Sequence, residues 1–307
     1  MCTPERERPG TTAPWSSMAA WLEGRLGERV PVTEFLATGR FAYANGAPVA
    51  GTDPYRPTTF VWFHRDLADE PRVPGLIHLV YRDERIVVID KPPFLSSIPR
   101  GRHVVQSVVV RLRAELQLPE LSPLHRLDRV TSGLLVLATE RRWRGAYQSL
   151  FQRNEVTKVY RALARPAPEL ELPVTVRNHL RAQPGSWQGE VVPGAAVNAE
   201  SLVEWDGECG GAGRYRLTPR TGRTHQLRLH MLGLGIPIQN DPIYPTVQDV
   251  SVHDFRRPLQ LLAGELAFTD PIDGTARAFG SVRRLPLLPE EAGEASPPPG
   301  ASRVAPG

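Results

Sequence analysis

One carboxylate in this chain is set for chemistry by its neighbours: Asp128, in the run His125-Arg126-Leu127-Asp128-Arg129-Val130-Thr131-Ser132-Gly133. Three basic side chains surround it, and nearby cations favour the ionised form of an acid. Such a group can act as a nucleophile. The apolar Leu134-Leu135-Val136-Leu137-Ala138 that follows reads as a buried strand, which fixes the preceding loop on a rigid element. Tyr160, in the alternating stretch Lys158-Val159-Tyr160-Arg161-Ala162, offers a flat ring to stack on a base and a weakly acidic hydroxyl for proton transfer. Arg228 lies in Thr221-Gly222-Arg223-Thr224-His225-Gln226-Leu227-Arg228-Leu229-His230. There Thr224 suits a helix N-cap, Leu227, Met231 and Leu234 form an apolar stripe, and His225 and Arg228 share another face. On charge pattern alone Asp128 is simplest as an Arg–Asp pair tying down a loop. On periodicity alone Tyr160 is a core residue.

Resemblance separates these readings. HRLDRVTSGLLVLA, residues 125–138, is similar along its whole length to the signature of the RluA-type pseudouridine synthases, which convert uridine in RNA to its carbon-linked isomer. The stretch around Tyr160 resembles that family's KxYxA motif, and Gly222 to His230 its GRTHQLRxH motif. With gaps, the resemblance runs from about Ile77 to Phe279. It implies Asp128 as nucleophile, Tyr160 in stacking and proton transfer, Arg228 as the partner of Asp128, and Leu229 lining the uracil pocket. Arg126, Arg129 and Arg223, within the same motifs, are expected to bind substrate.

The implied reaction breaks the glycosidic bond to ring nitrogen 1, turns the uracil and joins carbon 5 to the ribose. Asp128 adds to the sugar carbon, adds to the base, or helps expel uracil to a glycal-like intermediate, and the sequence does not choose. Every route needs the base out of the stack. No redox change or hydrolysis occurs, so no cofactor and no metal is implied. The chain departs from the pattern after Asp90-Lys91-Pro92, where Pro93 and Phe94 replace a small residue and a glycine, and at Ile236, Asn240 and Pro245. Lys91 reads as structural, and His225 and His230 are left without a catalytic role.

Composition narrows the setting. No apolar run approaches the ~18 residues of a membrane span, and the N-terminus lacks the apolar core of a signal peptide, so a cytoplasmic location is expected. Cys2 and Cys209 are far apart in sequence and have no metal-ligand spacing. The net charge is +4, yet residues 100–165 hold thirteen Lys or Arg against five Asp or Glu. A local positive field of that kind suits phosphate-backbone binding. A solvated arginine-rich surface gives the same count, and the chain has only two lysines, Lys91 and Lys158.

The elements that must position these residues follow from periodicity. Ile77–Tyr81 and Arg85–Asp90 read as paired strands, and Val108, Val109, Leu112 and Leu116 as one face of a helix ended by Pro119. A second amphipathic helix carries Trp143, Tyr147, Leu150 and Phe151 inward, with Arg141, Arg142, Arg144 and Arg153 elsewhere as candidate backbone contacts. Gly101-Arg102-His103 is a candidate phosphate contact. Leu259–Phe268, a turn at 270–274 and a strand near Ala276–Phe279 close the domain. The whole reads as α+β, and the resemblance implies the pseudouridine synthase fold: a mixed, mainly antiparallel sheet with flanking helices and a central active-site cleft.

Four regions are expected: a disordered tail at 1–14, a small region at 15–74, the catalytic domain at 75–288, and a disordered tail at 289–307. The small region is faintly similar to an RNA-binding module found in the family. It is poor in basic residues, which favours a structural cap. The partner is RNA, ribosomal or transfer, with no membrane and no obligate protein partner, so a monomer is expected. The rival reading is a catalytically idle RNA-binding protein that keeps the fold. A glycosidase-like hydrolase would need a second carboxylate, and none stands out in the motifs.

Overall fold

A computed structural model describes residues 5–10, 15–64, 70–99, 103–182, 188–251 and 253–289. Cys2, Gly101 and Arg102, and residues 290–307 of the expected C-terminal tail, lie outside the described residues. The chain divides into two units, Met1–Asp69 and Glu70–Gly307.

The first unit comprises β1 (Glu5–Glu7), α1 (Met18–Leu26), α2 (Val32–Ala37), β2 (Phe41–Tyr43) and β3 (Val61–Phe63), the strands pairing in the order β1-β3-β2. Ser17 caps α1, its side chain accepting from the Ala20 amide at 3.1 Å. Met18, Leu22, Leu26, Phe35, Phe41 and Phe63 form its core. The expected absence of structure over residues 1–14 does not hold at Glu5–Glu7, which pair antiparallel with β3. The alternating charges suit a strand: Glu7 receives Arg25 of α1 and Arg29 just beyond it at 3.4 and 3.2 Å, while Arg6, on the opposite face, lies over the Trp62 ring.

In the second unit, β4 (His78–Arg82) and β5 (Ile86–Lys91) lead to α3 (Val108–Glu115), β6 (Ser122–Pro123), β7 (Ser132–Ala138), α4 (Arg141–Gln152) and β8 (Thr157–Ala164). Then come β9 (Val174–Asn178), β10 (Leu180–Ala182), β11 (Gly189–Val191), β12 (Ala199–Cys209), β13 (Ala212–Pro219), α5 (Gln226–Gly233), β14 (Leu261–Thr269) and β15 (Ala276–Gly280). The large sheet runs β4-β5-β7-β14-β8-β13-β12-β9, with β15 beside β14 and β6 beside β7. All its pairings are antiparallel except β7 with β14.

β5 and β7 are buried at every position, which is why they read as continuous apolar runs. Their residues alternate between two cores. Val87, Ile89, Leu135 and Leu137 pack with Val109 and Leu112 of α3 and Leu227 and Met231 of α5. Ile86, Val88, Leu134 and Val136 pack with Tyr147 and Leu150 of α4. At the parallel junction Gly133 has φ +112°, and a Cβ there would lie 2.3 Å from the Ala263 carbonyl oxygen. Only glycine permits both the dihedral and the approach of β14.

Candidate active site

Asp128 sits in the loop that enters β7, and the residues on either side of it are pinned by buried side chains. Ser97 Oγ donates to the Leu127 carbonyl at 2.8 Å and accepts from the Leu127 amide at 3.1 Å. Lys91, fully buried, donates to the carbonyls of Arg129 at 3.2 Å, Leu95 at 2.8 Å and Pro92 at 2.9 Å. Burial pushes the Lys91 pKa well down, while the three carbonyls use all three of the protons an ammonium offers. The Thr131 amide donates to the Asp128 carbonyl at 3.0 Å and closes the turn. The segment where Pro93 and Phe94 depart from the family pattern thus frames the Asp128 loop. Phe94 takes φ +65°, and its carbonyl accepts from Arg129 Nη1 at 3.2 Å.

Arg228 comes from α5. The expected cap at Thr224 does not form: the helix begins at Gln226, after His225 in the left-handed region (φ 56°). Gln226 itself closes the first turn, accepting from the Arg223 amide at 3.0 Å and donating to the Glu200 carbonyl and Ser201 Oγ of β12. A side chain that bonds both its own turn and the sheet replaces the cap. Arg228 is buried and forms a two-pronged pair with Asp241, Nε to Oδ2 at 2.7 Å and Nη2 to Oδ1 at 2.6 Å. Its remaining nitrogen, Nη1, stands 3.5 Å from Asp128 Oδ2. Burial opposes the guanidinium charge, and the hydrogen bonds and fields of the two carboxylates outweigh it, so the Arg228 pKa is raised. The guanidinium therefore joins two carboxylates. Asp241 is closed off, its Oδ1 also accepting from the Ile243 and Tyr244 amides, while the Asp128 side chain is 33% exposed.

Tyr160 arrives by sheet register. It pairs with Ala263 of β14, and Ala263 pairs with Gly133 of β7, so the tyrosine stands level with the strand that follows Asp128. Burial and then the Asp128 charge push its hydroxyl pKa up, so the phenol stays protonated at neutral pH.

The other expected residues divide. Arg126 and Arg223 are exposed beside the site, Arg223 donating to the Asn198 carbonyl at 3.1 Å. Arg129 is turned inward, its guanidinium over Phe94 at 5.8 Å. Leu229 is buried among Leu180, Ala199 and Tyr244. His125 is no cation: half-buried, with a pKa pushed down to about 3 by desolvation, it accepts from the Val136 amide at 3.2 Å and stacks on Phe151. Along α4, Arg142 pairs with Glu84 and Glu140, and Arg144 donates to the Glu120 carbonyl, so part of the expected basic face is spent within the chain.

Asp241 and Ser97 escaped the sequence reading, and His225, left there without a catalytic role, stands beside Asp128. The available signal for Asp241 was physical: a buried arginine on α5 needs a carboxylate, and this one follows an apolar stretch thirteen positions later. His225 Nε2 lies 3.8 Å from Asp128 Oδ2. Two surface cavities, of about 360 and 500 Å³, are lined by residues such as Val159 and Glu265, and Arg161 and Arg214; neither borders Asp128, Tyr160 or Arg228. Among the described residues, no group of three His, Cys, Asp or Glu is placed to hold a metal ion.

Residues 85–232 match the family described as RNA pseudouridylate synthase. The dual-specificity RNA pseudouridine synthase RluA of Salmonella typhi is 32% identical, over 68% of this chain and 94% of the relative. Two solved structures share the fold. Human RNA pseudouridylate synthase domain containing 1 has a TM-score of 0.54 at 23% identity, over 71% of this chain and 94% of that one. Human RNA pseudouridylate synthase domain containing 4 has a TM-score of 0.52 at 24% identity, over 66% and 87%. With that identity sustained over nearly the whole of the bacterial relative, and the matched domain running through Asp128, Tyr160 and Arg228, the chain belongs to the RluA-type RNA pseudouridine synthases and is an isomerase acting on RNA.

Proposed function

We propose that Asp128 is the nucleophile of the isomerisation, that Tyr160 presents its ring and its retained proton to the flipped base, and that Arg228 orients the carboxylate. The observation that carries this reading is the placement of Asp128: both its neighbours are pinned by buried Ser97 and Lys91, a buried guanidinium stands 3.5 Å from it, and it alone of the two carboxylates around Arg228 opens to solvent. Fixing a charged group on backbone held by buried bonds supplies the orientation that catalysis needs. The N1–C1′ bond of uridine breaks, the C5–C1′ bond forms, the C5 proton leaves to water and N1 takes up a proton, so atoms balance with no oxidant or hydrolytic water.

The substrate is structured RNA of the ribosomal or transfer class, in keeping with a relative named dual-specificity, and the enzyme works in the cytoplasm as a monomer. No helix among the described residues is long and apolar enough to cross a membrane. Exposed Arg126 and Arg223 contact phosphates beside the flipped nucleotide. Tritium release from RNA carrying carbon-5-labelled uridine, without added metal or nucleotide, is the test. The wild-type protein releases label and Asp128→Asn does not, while both bind the RNA alike. Release by Asp128→Asn at the wild-type rate removes the assignment, and no release by the wild type from any cellular RNA favours an idle RNA-binding protein.

A further inference from the structure

The roles proposed above leave one half-buried side chain beside the reacting carboxylate without a function. His225 holds the left-handed cap position of α5, a conformation that L residues adopt under strain and that recurs where a side chain must be aimed. Its ring stands edge-on to Tyr244, with centroids 5.6 Å apart, and its side chain is 11% exposed. One ring nitrogen, Nε2, faces Asp128 Oδ2 at 3.8 Å; the other, Nδ1, lies 2.9 Å from Tyr244 Oη.

The groups at the two ring nitrogens bear on the tautomer. Tyr244 Oη already accepts from the Gly189 amide at 2.7 Å, so its single proton goes either to Nδ1 at 2.9 Å or to the Gly189 carbonyl at 3.3 Å. The shorter contact is to Nδ1. At the other nitrogen, a lone pair on Nε2 would face a carboxylate, whereas an N–H there is attracted by it. The carboxylate decides: Nε2 carries the proton toward Asp128, and Tyr244 donates to Nδ1 at the shorter of its two contacts. The ring stays neutral, because burial lowers its pKa more than the Asp128 and Asp241 charges raise it, with Arg228 adding to the lowering.

The contacts also distinguish the two oxygens of Asp128. Arg228 Nη1 and His225 Nε2 both approach Oδ2, and among the described residues no donor reaches Oδ1. We infer that His225 is a positioning residue which, as a neutral Nε2–H donor fixed by Tyr244, shares with Arg228 the hold on Asp128 Oδ2 and leaves Oδ1 as the oxygen that reacts. This rests on the nucleophilic role of Asp128. Contacts of 3.5 and 3.8 Å suit that role, since catalytic hydrogen bonds tighten when substrate seats.

The experiment compares His225→Phe, His225→Gln and Tyr244→Phe with Asp128→Asn, measuring kcat and KM for tritium release between pH 6 and 8, with Tm as the folding control. His225→Phe keeps a ring and loses the donor, so kcat falls roughly 10- to 100-fold at unchanged KM, the range of a lost second donor to a reacting group. His225→Gln restores part of the rate through its carboxamide N–H. Tyr244→Phe lowers kcat less than His225→Phe, because the tautomer is freed and the donor retained. The shape of the pH profile is the same in wild type and His225→Phe. Wild-type kcat in a folded His225→Phe, or a limb near the ordinary histidine range that this variant abolishes, overturns the inference. Where His225→Phe does not fold, Tyr244→Phe decides, and wild-type kcat in it is the overturning result. Full activity in Asp128→Asn fails the nucleophile assignment itself, a result distinct from all of these.

Discussion

Two carboxylates of this protein sit among arginines and tyrosines, and their surroundings differ in one respect that separates function from structure. Asp270, at the turn between β14 and β15, is fully buried and saturated: Oδ2 accepts from Tyr147 Oη at 2.8 Å and meets Arg277 and Arg85 at 3.1 and 3.4 Å, while Oδ1 accepts from the Ile272 amide at 3.0 Å. Among the described residues, the Asp128 carboxylate has partners only at 3.5 and 3.8 Å, both to one oxygen, and its side chain is 33% exposed. A satisfied buried carboxylate has no lone pair to offer a substrate, whereas Asp128 is held but not used up. Residue type and neighbouring charge are alike in the two clusters; hydrogen-bond saturation is not.

Replacing each acid by its amide breaks the comparison most sharply. Asp128→Asn lowers kcat by at least ~1,000-fold, the loss expected of a removed nucleophile, with Tm near wild type. Asp270→Asn does the reverse: it leaves Arg85 and Arg277 facing an uncharged group and costs on the order of 3–5 kcal/mol in denaturant unfolding, with kcat retained below Tm. A stability loss at Asp128 equal to that at Asp270 would place both in the structural class.

Asp241 belongs by saturation with Asp270 and by position with Asp128, so its variant sharpens the boundary. Asp241→Asn strips Arg228 of its paired partner and lets the guanidinium turn fully to Asp128. Unfolding is then easier by about 3 kcal/mol, and kcat falls by about 10-fold, less than in Asp128→Asn. Activity unchanged in this variant would mean that Arg228 needs no second carboxylate to be aimed.

Much of this arrangement was legible in the chain. β7 was readable because a strand buried on both faces is an apolar run, and α4 because Trp143, Tyr147 and Leu150 recur at helical spacing in a stretch that also holds Arg141, Arg142 and Arg144. Asp128, Tyr160 and Arg228 were readable through the motifs that carry them. What stayed hidden depends on contacts that no local pattern encodes. Ser97 and Lys91 grip the Asp128 loop from 30 and 38 residues away, and Asp241 meets Arg228 because the chain folds back after α5. β1 was missed because three residues borrow their order from β3. His125 was read as a cation because sequence shows its type and not the Phe151 ring and Val136 amide that enclose it.

Gly133 tests how rigidly the two halves of the site are joined. An alanine there meets the Ala263 backbone and is strained at φ +112°, so β14 must shift away from β7 and Tyr160 with it. Gly133→Ala is expected to cost about 2 kcal/mol, as overpacked sites do, and to lower kcat at unchanged RNA affinity. A variant that loses stability with kcat intact would show that the lateral register of Tyr160 and Asp128 is looser than the pairing indicates.

The smallest effect concerns the charge near Asp128. If His125 were the third cation that its place in the motif suggests, acidification toward its ordinary pKa would leave the fold indifferent or strengthen it. In the structure the opposite holds. Burial pushes His125 from 6.5 to about 3 and His230 from 6.5 to about 4, so between those values and 6.5 the unfolded chain binds more protons than the folded one. Stability from these two groups is full above pH 6.5 and is lost as pH falls toward their folded values. Carboxylates of ordinary pKa are ionised throughout pH 6–7, so that window isolates histidines, and His225, lowered as well, acts in the same direction. Moving from pH 7 to pH 6 should cost about 1 kcal/mol of unfolding free energy, read from urea titrations. His125→Gln keeps an acceptor for the Val136 amide and cannot titrate, so it should remove about half of that pH dependence. Equal or greater stability at pH 6 would mean that His125 carries its proton in the folded state, and that Asp128 sits among more positive charge than Arg228 supplies.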